Sequence, residues 1–353
     1  MKGSSGQDSI GSSVLRGSIR KKDLMRRRFV PVIGIDISKD KFDVCLIKSE
    51  GGKELYNKFE NSEDGFEAFL SWIGVHKVRK FHACLEPTGR YGQALAEFIR
   101  EAGHAVSMIN AYQIKGFAIS ELKRSKSDKL DAGIIARFGV AHRPESWHPT
   151  SPNIKEVQEL GRYVDSLKCM ITQEKNRLSA GAVHDAVRTA VEQHIESMKE
   201  TVVRLEKQMK HVVASDQELK RCFDLLTSIV GIGDVAALAF LGEIGTGERF
   251  VHTRQVETYC GLIPKTRQSG SSVNGKARLS KVGNSRMRRA LYMPALSALQ
   301  ANPAIRTFAE RLVKAGKPPK VVICATMRKL LRVMFAIVKS GRHYDLQYLP
   351  MVN

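Results

Sequence analysis

A chain of 353 residues with 42% hydrophobic residues suits a folded globular protein of one large domain or two to three ordinary ones. Its 57 Lys and Arg against 36 Asp and Glu leave a formal net charge of +21, which attracts polyanions; without an apolar run long enough to span a bilayer or a leader-type segment, nucleic acid is the expected partner and a membrane is not. The six cysteines (Cys45, Cys84, Cys169, Cys222, Cys260 and Cys324) are scattered singly, which argues against zinc and a secreted disulfide framework and fits a reducing cytoplasm.

Residues 1–28 form a basic N-terminal extension that reads as disordered. Its Gly/Ser-rich start leads into RKKDLMRRR at Arg20–Arg28, either a solvated tail or an arm that contacts phosphate. Residues 29–150 follow an α/β pattern. Phe29–Ile37, Phe42–Lys48 and Glu54–Phe59 read as strands, and Ser62 as the cap of a helix to about His76. Lys80–Leu85 is the next strand, Tyr91–Ala102 a helix stopped by Gly103, Ala105–Ile109 a strand, and Asp128–His142 a helix ended by Arg143-Pro144. The sum is a mixed sheet with helices around it. Cys45 and Cys84 fall in apolar strands and read as small core residues.

Residues 151–214 change texture. Val157, Leu160, Val164, Leu167, Ile171 and Leu178 keep heptad spacing with one position skipped, and Ile195, Met198, Val202, Leu205, Met209 and Val212 alternate gaps of three and four. Ser179–His184 breaks the two helices. They either pack within one subunit or form an intermolecular coiled coil, and dimerisation is the favoured expectation. Residues 215–353 read as a mostly helical domain. Gly231-Ile232-Gly233 sits between apolar helices, as in a helix-hairpin-helix that approaches DNA phosphate or in a plain turn. Helices are expected over Ser285–Ala301, Pro303–Ala315 and Pro319–Lys339, with Met287, Leu291 and Met293 in the core and Arg328, Lys329 and Arg332 facing solvent or nucleic acid.

Two groups of residues carry chemistry. Asp36 and Glu86 sit at strand ends, and Asp128 and Asp131 are three apart on one helix face. Singly, each is as readily a turn, loop or capping acid. Together they would repel unless a divalent metal removed the repulsion, and hard oxygen ligands suit Mg²⁺ or Mn²⁺. The second group is the acid-free stretch 261–290, with Lys265, Arg267, Lys276, Arg278, Lys281, Arg286, Arg288 and Arg289 placed for nucleic acid. Val273-Asn274-Gly275-Lys276 looks like a tight hairpin turn. Ser269 among these cations is either a nucleophile or a phosphate-binding hydroxyl, and Ser271, Ser272, Ser280 and Thr266 are equally available on composition.

The chain resembles the bridge-RNA-guided insertion-sequence transposases (insertion sequence 110 group), relatives of the Piv-type DNA invertases. The resemblance lies in GIDISKDKFDV, LEPTGRYG, INAYQIKGFAISELKRSKSDKLDA, LTSIVGIGDVAALAFLGEIG, Arg249-Phe250 and YCGLIPKTRQSGSSVNGKARLSKVGNSRMRRALYMPAL, in order from Val32 to Leu296. It implies a RuvC-like (ribonuclease-H-like) α/β N-terminal domain with a metal site on Asp36, Glu86, Asp128 and Asp131, a helical coiled-coil linker that joins protomers, and a mostly α C-terminal transposase domain whose nucleophile is Ser269. It also implies a noncoding bridge RNA that pairs with donor and target DNA, active sites shared between subunits of a dimer or a tetramer on DNA, and action on the nucleoid of a prokaryotic cytoplasm. A structure-selective nuclease using water and a non-catalytic nucleic-acid scaffold are the rival readings.

Overall fold

The computed structural model describes residues 29–86, 91–121, 128–181, 184–269 and 273–345, with backbone alone at 266–269 and 273–277. The basic extension, Ser271 and Ser272 lie outside the described residues, as do the side chains of Thr266, Arg267, Ser269 and Lys276. The chain divides into two compact units, 1–149 and 150–353.

The first unit holds a five-stranded sheet in the order β3-β2-β1-β4-β5. Its strands are β1 (Val32–Ile37), β2 (Lys41–Ile47), β3 (Glu54–Glu60), β4 (His82–Leu85) and β5 (Ala105–Met108). β1 pairs antiparallel with β2 and parallel with β4; β2–β3 is antiparallel and β4–β5 parallel. Successive side chains of a strand point to opposite faces. Ile33, Ile35 and Ile37 therefore meet α1 (Glu63–Val75) and α2 (Tyr91–Glu101) through Phe66, Phe69, Leu95 and Ile99. Ser62 caps α1 by accepting from the Gly65 amide at 3.2 Å, as its sequence position predicts.

The opposite face carries α3 (Ala111–Ser120), a helix the sequence reading passes over, and α4 (Asp128–His142). Gly34 explains how α4 lies so close. A Cβ at Gly34 would stand 2.2 Å from the Ala132 carbonyl oxygen and from the Ala136 nitrogen. One at Gly139 would stand 2.7 Å from Val32 Cγ1. Position 139 therefore lies over 32, and 132–136 over 34, so α4 runs antiparallel to β1 with its first turn beyond Gly34.

The second unit opens with α5 (Pro152–Ser179) and α6 (Asp185–Ser215). They pack antiparallel within one chain, and their seam is Val164, Leu167, Val191, Ile195, Met198 and Val202. The heptads thus predict a real seam, and its partner is the same chain. Val157, Met209 and Val212 also join the core of α7 (Gln217–Thr227), α8 (Asp234–Ile244), α9 (Thr253–Tyr259), α10 (Ser285–Ala301) and α12 (Pro319–Ser340), flanked by α11 (Pro303–Lys314). The regions separated at 214/215 in the sequence are one unit.

Three local expectations need correction. Asn274-Gly275 is not a turn: β6 (Pro264–Ser269) pairs with β7 (Val273–Leu279), placing Arg267 opposite Gly275, Gln268 opposite Asn274 and Ser269 opposite Val273. Met287 and Leu291 are buried, but Met293 is exposed, because it falls on the outer side of α10. Arg328 and Arg332 do not serve solvent. They pair with Glu257 of α9, a carboxylate with no exposed surface, Arg328 at 2.8 Å.

Candidate functional site

The first site follows from the α4–β1 contact. Asp36 shares the face of Val32 and Gly34, and α4 delivers Asp128 and Asp131 to that end of the sheet. Parallel pairing sets Ile35 beside Leu85, so Asp36 and Glu86 follow at neighbouring strand ends. Antiparallel pairing puts Asp43 directly across from Asp36. Asp43 is a fifth acid that sequence reading missed. Its signal was there, since Asp36 and Asp43 flank the short turn in GIDISKDKFDV.

The electrostatics agree. Burial, then the charges of Asp131, Asp128, Glu86 and Asp43, push the Asp36 carboxyl from its ordinary 3.8 up to about 6. Lys41 relieves one member of the cluster. Its ammonium lies 2.7 Å from Asp128 Oδ2 and 3.8 Å from Asp43 Oδ2. That contact holds the Asp128 carboxyl below the usual carboxylate range. The acids share a field without yet sharing a coordination sphere: among the described residues no three His, Cys, Asp or Glu side chains stand close enough to hold a metal ion. Without an ion, mutual repulsion keeps the carboxylates apart, and each can reach one by rotating its side chain. The donor set, all carboxylate oxygen, fits a hard divalent cation.

The second site is the β6–β7 hairpin. Lys265 and Arg278 are exposed and pair across the two strands. Like charges opposite each other are unfavourable, so the pair favours an anion between them. The base of the hairpin is closed tightly. Ser280 donates its amide to the Ile263 carbonyl at 3.0 Å, and Asn284 to that of Tyr259 at 2.7 Å. Arg288 donates to the carbonyls of Cys260 (2.9 Å) and Gly283 (3.3 Å). Gly283 has φ +128°, and a Cβ there would stand 2.3 Å from the Tyr259 oxygen, so the approach requires glycine. Asn284 Nδ2 also donates to the buried Glu243 carboxylate of α8 at 2.7 Å, which Arg162 of α5 meets at 3.3 Å. Arg249 donates to the Glu243 carbonyl and stacks on the rings of Phe250 and Tyr259. Sequence reading missed Glu243 and Asn284, because an acid in an apolar helix and an asparagine before a helix carry no chemical signature.

Of the other predicted cations, Arg286 and Arg289 meet Asp165 of α5 at 3.0 and 3.7 Å, and Lys281 takes a left-handed backbone (φ 57°) at the hairpin base. The Gly231-Ile232-Gly233 stretch turns from α7 to α8, with Gly231 (φ +102°) against the Ala298 backbone. Asp234 follows in the first turn of α8 and pairs with Lys210, so a carboxylate already stands where a phosphate would approach. Among the described residues no helix is long and apolar enough to cross a membrane.

Comparison with known proteins identifies the family. A family model described as a transposase matches residues 33–185, and one described as the transposase IS116/IS110/IS902 family matches residues 223–310. The chain is 31% identical over 316 residues to the pilin gene-inverting protein of Moraxella bovis, spanning 89% of this chain and 97% of that relative. It is 23% identical over 352 residues to the transposase for insertion sequence element IS1328 of Yersinia enterocolitica, spanning 88% and 98%. With two transposase models matched in order along the chain and a relative of that identity aligned along nearly its whole length, the chain belongs to the IS116/IS110/IS902 family of transposases.

Proposed function

We propose that this insertion-sequence transposase/recombinase is guided by a noncoding bridge RNA and cuts and rejoins donor and target DNA through a covalent phosphoserine. The first unit is read as RuvC-like; the sheet order β3-β2-β1-β4-β5 and the helix laid on β1 support that reading. Asp36, Glu86, Asp128 and Asp131 would hold Mg²⁺ or Mn²⁺. Such an ion, when bound, orients the scissile phosphate and stabilises the charge that develops on it. The observation that carries this reading is the α4–β1 contact, which brings Asp128 and Asp131 to the strand ends that hold Asp36 and Glu86, where burial and the neighbouring acids push the Asp36 carboxyl up to about 6.

The β6–β7 hairpin carries Ser269 at the end of β6, and Lys265 and Arg278, opposite each other nearer its base, would hold the nucleic-acid backbone. The Ser269 oxygen bonds to phosphorus as the phosphorus–oxygen bond of the strand breaks, and the departing strand end takes a proton to become a free hydroxyl. The bond energy stays in the phosphoserine, so the reverse attack by a new strand end rejoins DNA without ATP. The hairpin has no acid of its own between 261 and 290, so the four acids supply what it lacks, across subunits of a dimer or tetramer on nucleoid DNA.

Wild-type protein with Mg²⁺ and a suitable DNA is expected to give a denaturation-resistant adduct whose peptide map ends on Ser269. Ser269→Ala is expected to give neither adduct nor nick. Nicking by Ser269→Ala returns the reading to a water-using nuclease. For the guide, a defined small RNA is expected to copurify, and exchanging its pairing loops is expected to redirect the target; a target that stays with the protein overturns the guidance.

A further inference from the structure

The carboxylates of the first site already have a cation among them. Lys41 opens β2 directly after the turn from β1, where Ser38 donates both its amide and its hydroxyl to the Lys41 carbonyl at 2.8 Å. Asn61 pins the same turn by donating to the carbonyls of Ser38 (3.0 Å) and Lys39 (3.2 Å). The stem of Lys41 therefore starts from a fixed backbone. Its ammonium ends 2.7 Å from Asp128 Oδ2, a charge-assisted hydrogen bond, with Asp43 Oδ2 at 3.8 Å. Asp128 is the most exposed partner, its side chain 57% accessible, and Lys41 is 37% accessible.

We propose that Lys41 is a built-in competitor of the divalent ion for the Asp128 carboxylate, so that loading the site requires the ammonium to let go. The inference rests on the metal reading above and adds a cost to it. A hard cation needs the oxygen lone pairs that the ammonium now uses, and both cannot sit at hydrogen-bond and ligand distance from Oδ2. An exposed ion pair is weak, so the exchange is easily driven, and the competitor lowers metal affinity without abolishing it. Until then the ammonium offsets part of the repulsion between Asp128 and Asp43.

The sign of one substitution decides the matter. Mn²⁺ affinity of the full-length protein is measured by titration calorimetry or electron paramagnetic resonance, without DNA, at fixed pH and ionic strength. Lys41→Gln is expected to bind Mn²⁺ about two- to five-fold tighter than wild type, the scale of an exposed ion pair. Lys41→Met, which keeps the stem, is expected to do the same. Lys39→Gln removes an equal charge from the neighbouring exposed position and is expected to shift affinity by less than half as much. Asp36→Asn is expected to bind more weakly than wild type. If Asp36→Asn weakens binding while both Lys41 variants bind as wild type or worse, Lys41 supports the ligand rather than competes with the ion, and the proposal is overturned with the metal reading intact. A Lys39→Gln shift equal to that of Lys41→Gln overturns it too, because long-range charge then explains everything. If Asp36→Asn binds Mn²⁺ as wild type does, the metal reading fails and takes the proposal with it.

Discussion

At the scale of single residues, Asp36 is the group whose charge costs the fold most clearly. Its carboxyl, ordinarily at 3.8, is raised to about 6 by burial and by Asp131, Asp128 and Glu86. A folded-state value above the unfolded one means that stability is fullest below pH 4, falls as pH rises from 4 to 6, and stays reduced above 6. Metal-free Asp36→Asn is therefore expected to melt above wild type at pH 7.5, and the gap is expected to close by pH 4. A tenfold change in proton affinity corresponds to about 1.4 kcal/mol, and partial exposure screens it, so the gain should be about 1–2 kcal/mol. Thermal melts in chelator across pH 4–8 check it; an Asn variant that melts below wild type at pH 7.5 refutes the crowding of these acids. Strand cleavage is expected to be lost in the same variant.

At the scale of elements, the hairpin base and the α4–β1 contact do comparable jobs, each fixing a chemical group by leaving no room for a side chain. Gly283→Ala is expected to strain a left-handed position and push against the Tyr259 carbonyl, costing about 1–3 kcal/mol. Amide exchange over 259–284 should quicken while the first unit keeps its protection, and unchanged exchange there would mean that the hairpin base tolerates the methyl. The elements also show what a sequence can tell. The strands β1 to β5, the Ser62 cap and the helices after Ser285 were legible, because alternation, capping and 3.6-residue spacing are local properties. The placing of Asp36 and Glu86 at strand ends and of Asp128 and Asp131 on one helix was legible in the same way. The turn of the hairpin was misplaced, because Asn274-Gly275 has turn-forming residues and register overrode that preference. The pairing of Arg328 and Arg332 with Glu257 was invisible, since the partners stand 71 and 75 residues apart. Lys41 reads as one more solvated lysine until β2 and α4 are brought together.

At the scale of the whole molecule, the heptads decide how the chain is built. Val202 is buried in the seam between α5 and α6 of one chain. Val202→Asp places an unpaired charge there and is expected to cost about 2–4 kcal/mol. Because the seam is unimolecular, the drop in melting temperature should be the same across a hundredfold dilution series. A drop that grows on dilution would assign the seam to a partner subunit instead. If the drop is independent of dilution, any association between subunits draws on other surfaces, such as the exposed Tyr163, Met170 and Val203.

A seam closed within one chain has a consequence for scarcity. An intermolecular coiled coil would leave each new polypeptide with a naked apolar stripe until another copy diffused to it. Here the stripe is covered by the next helix as soon as that helix leaves the ribosome, on a timescale set by a short connection rather than by encounter. A cell that makes only a few copies of this enzyme therefore still holds soundly folded chains, because folding waits on no second copy.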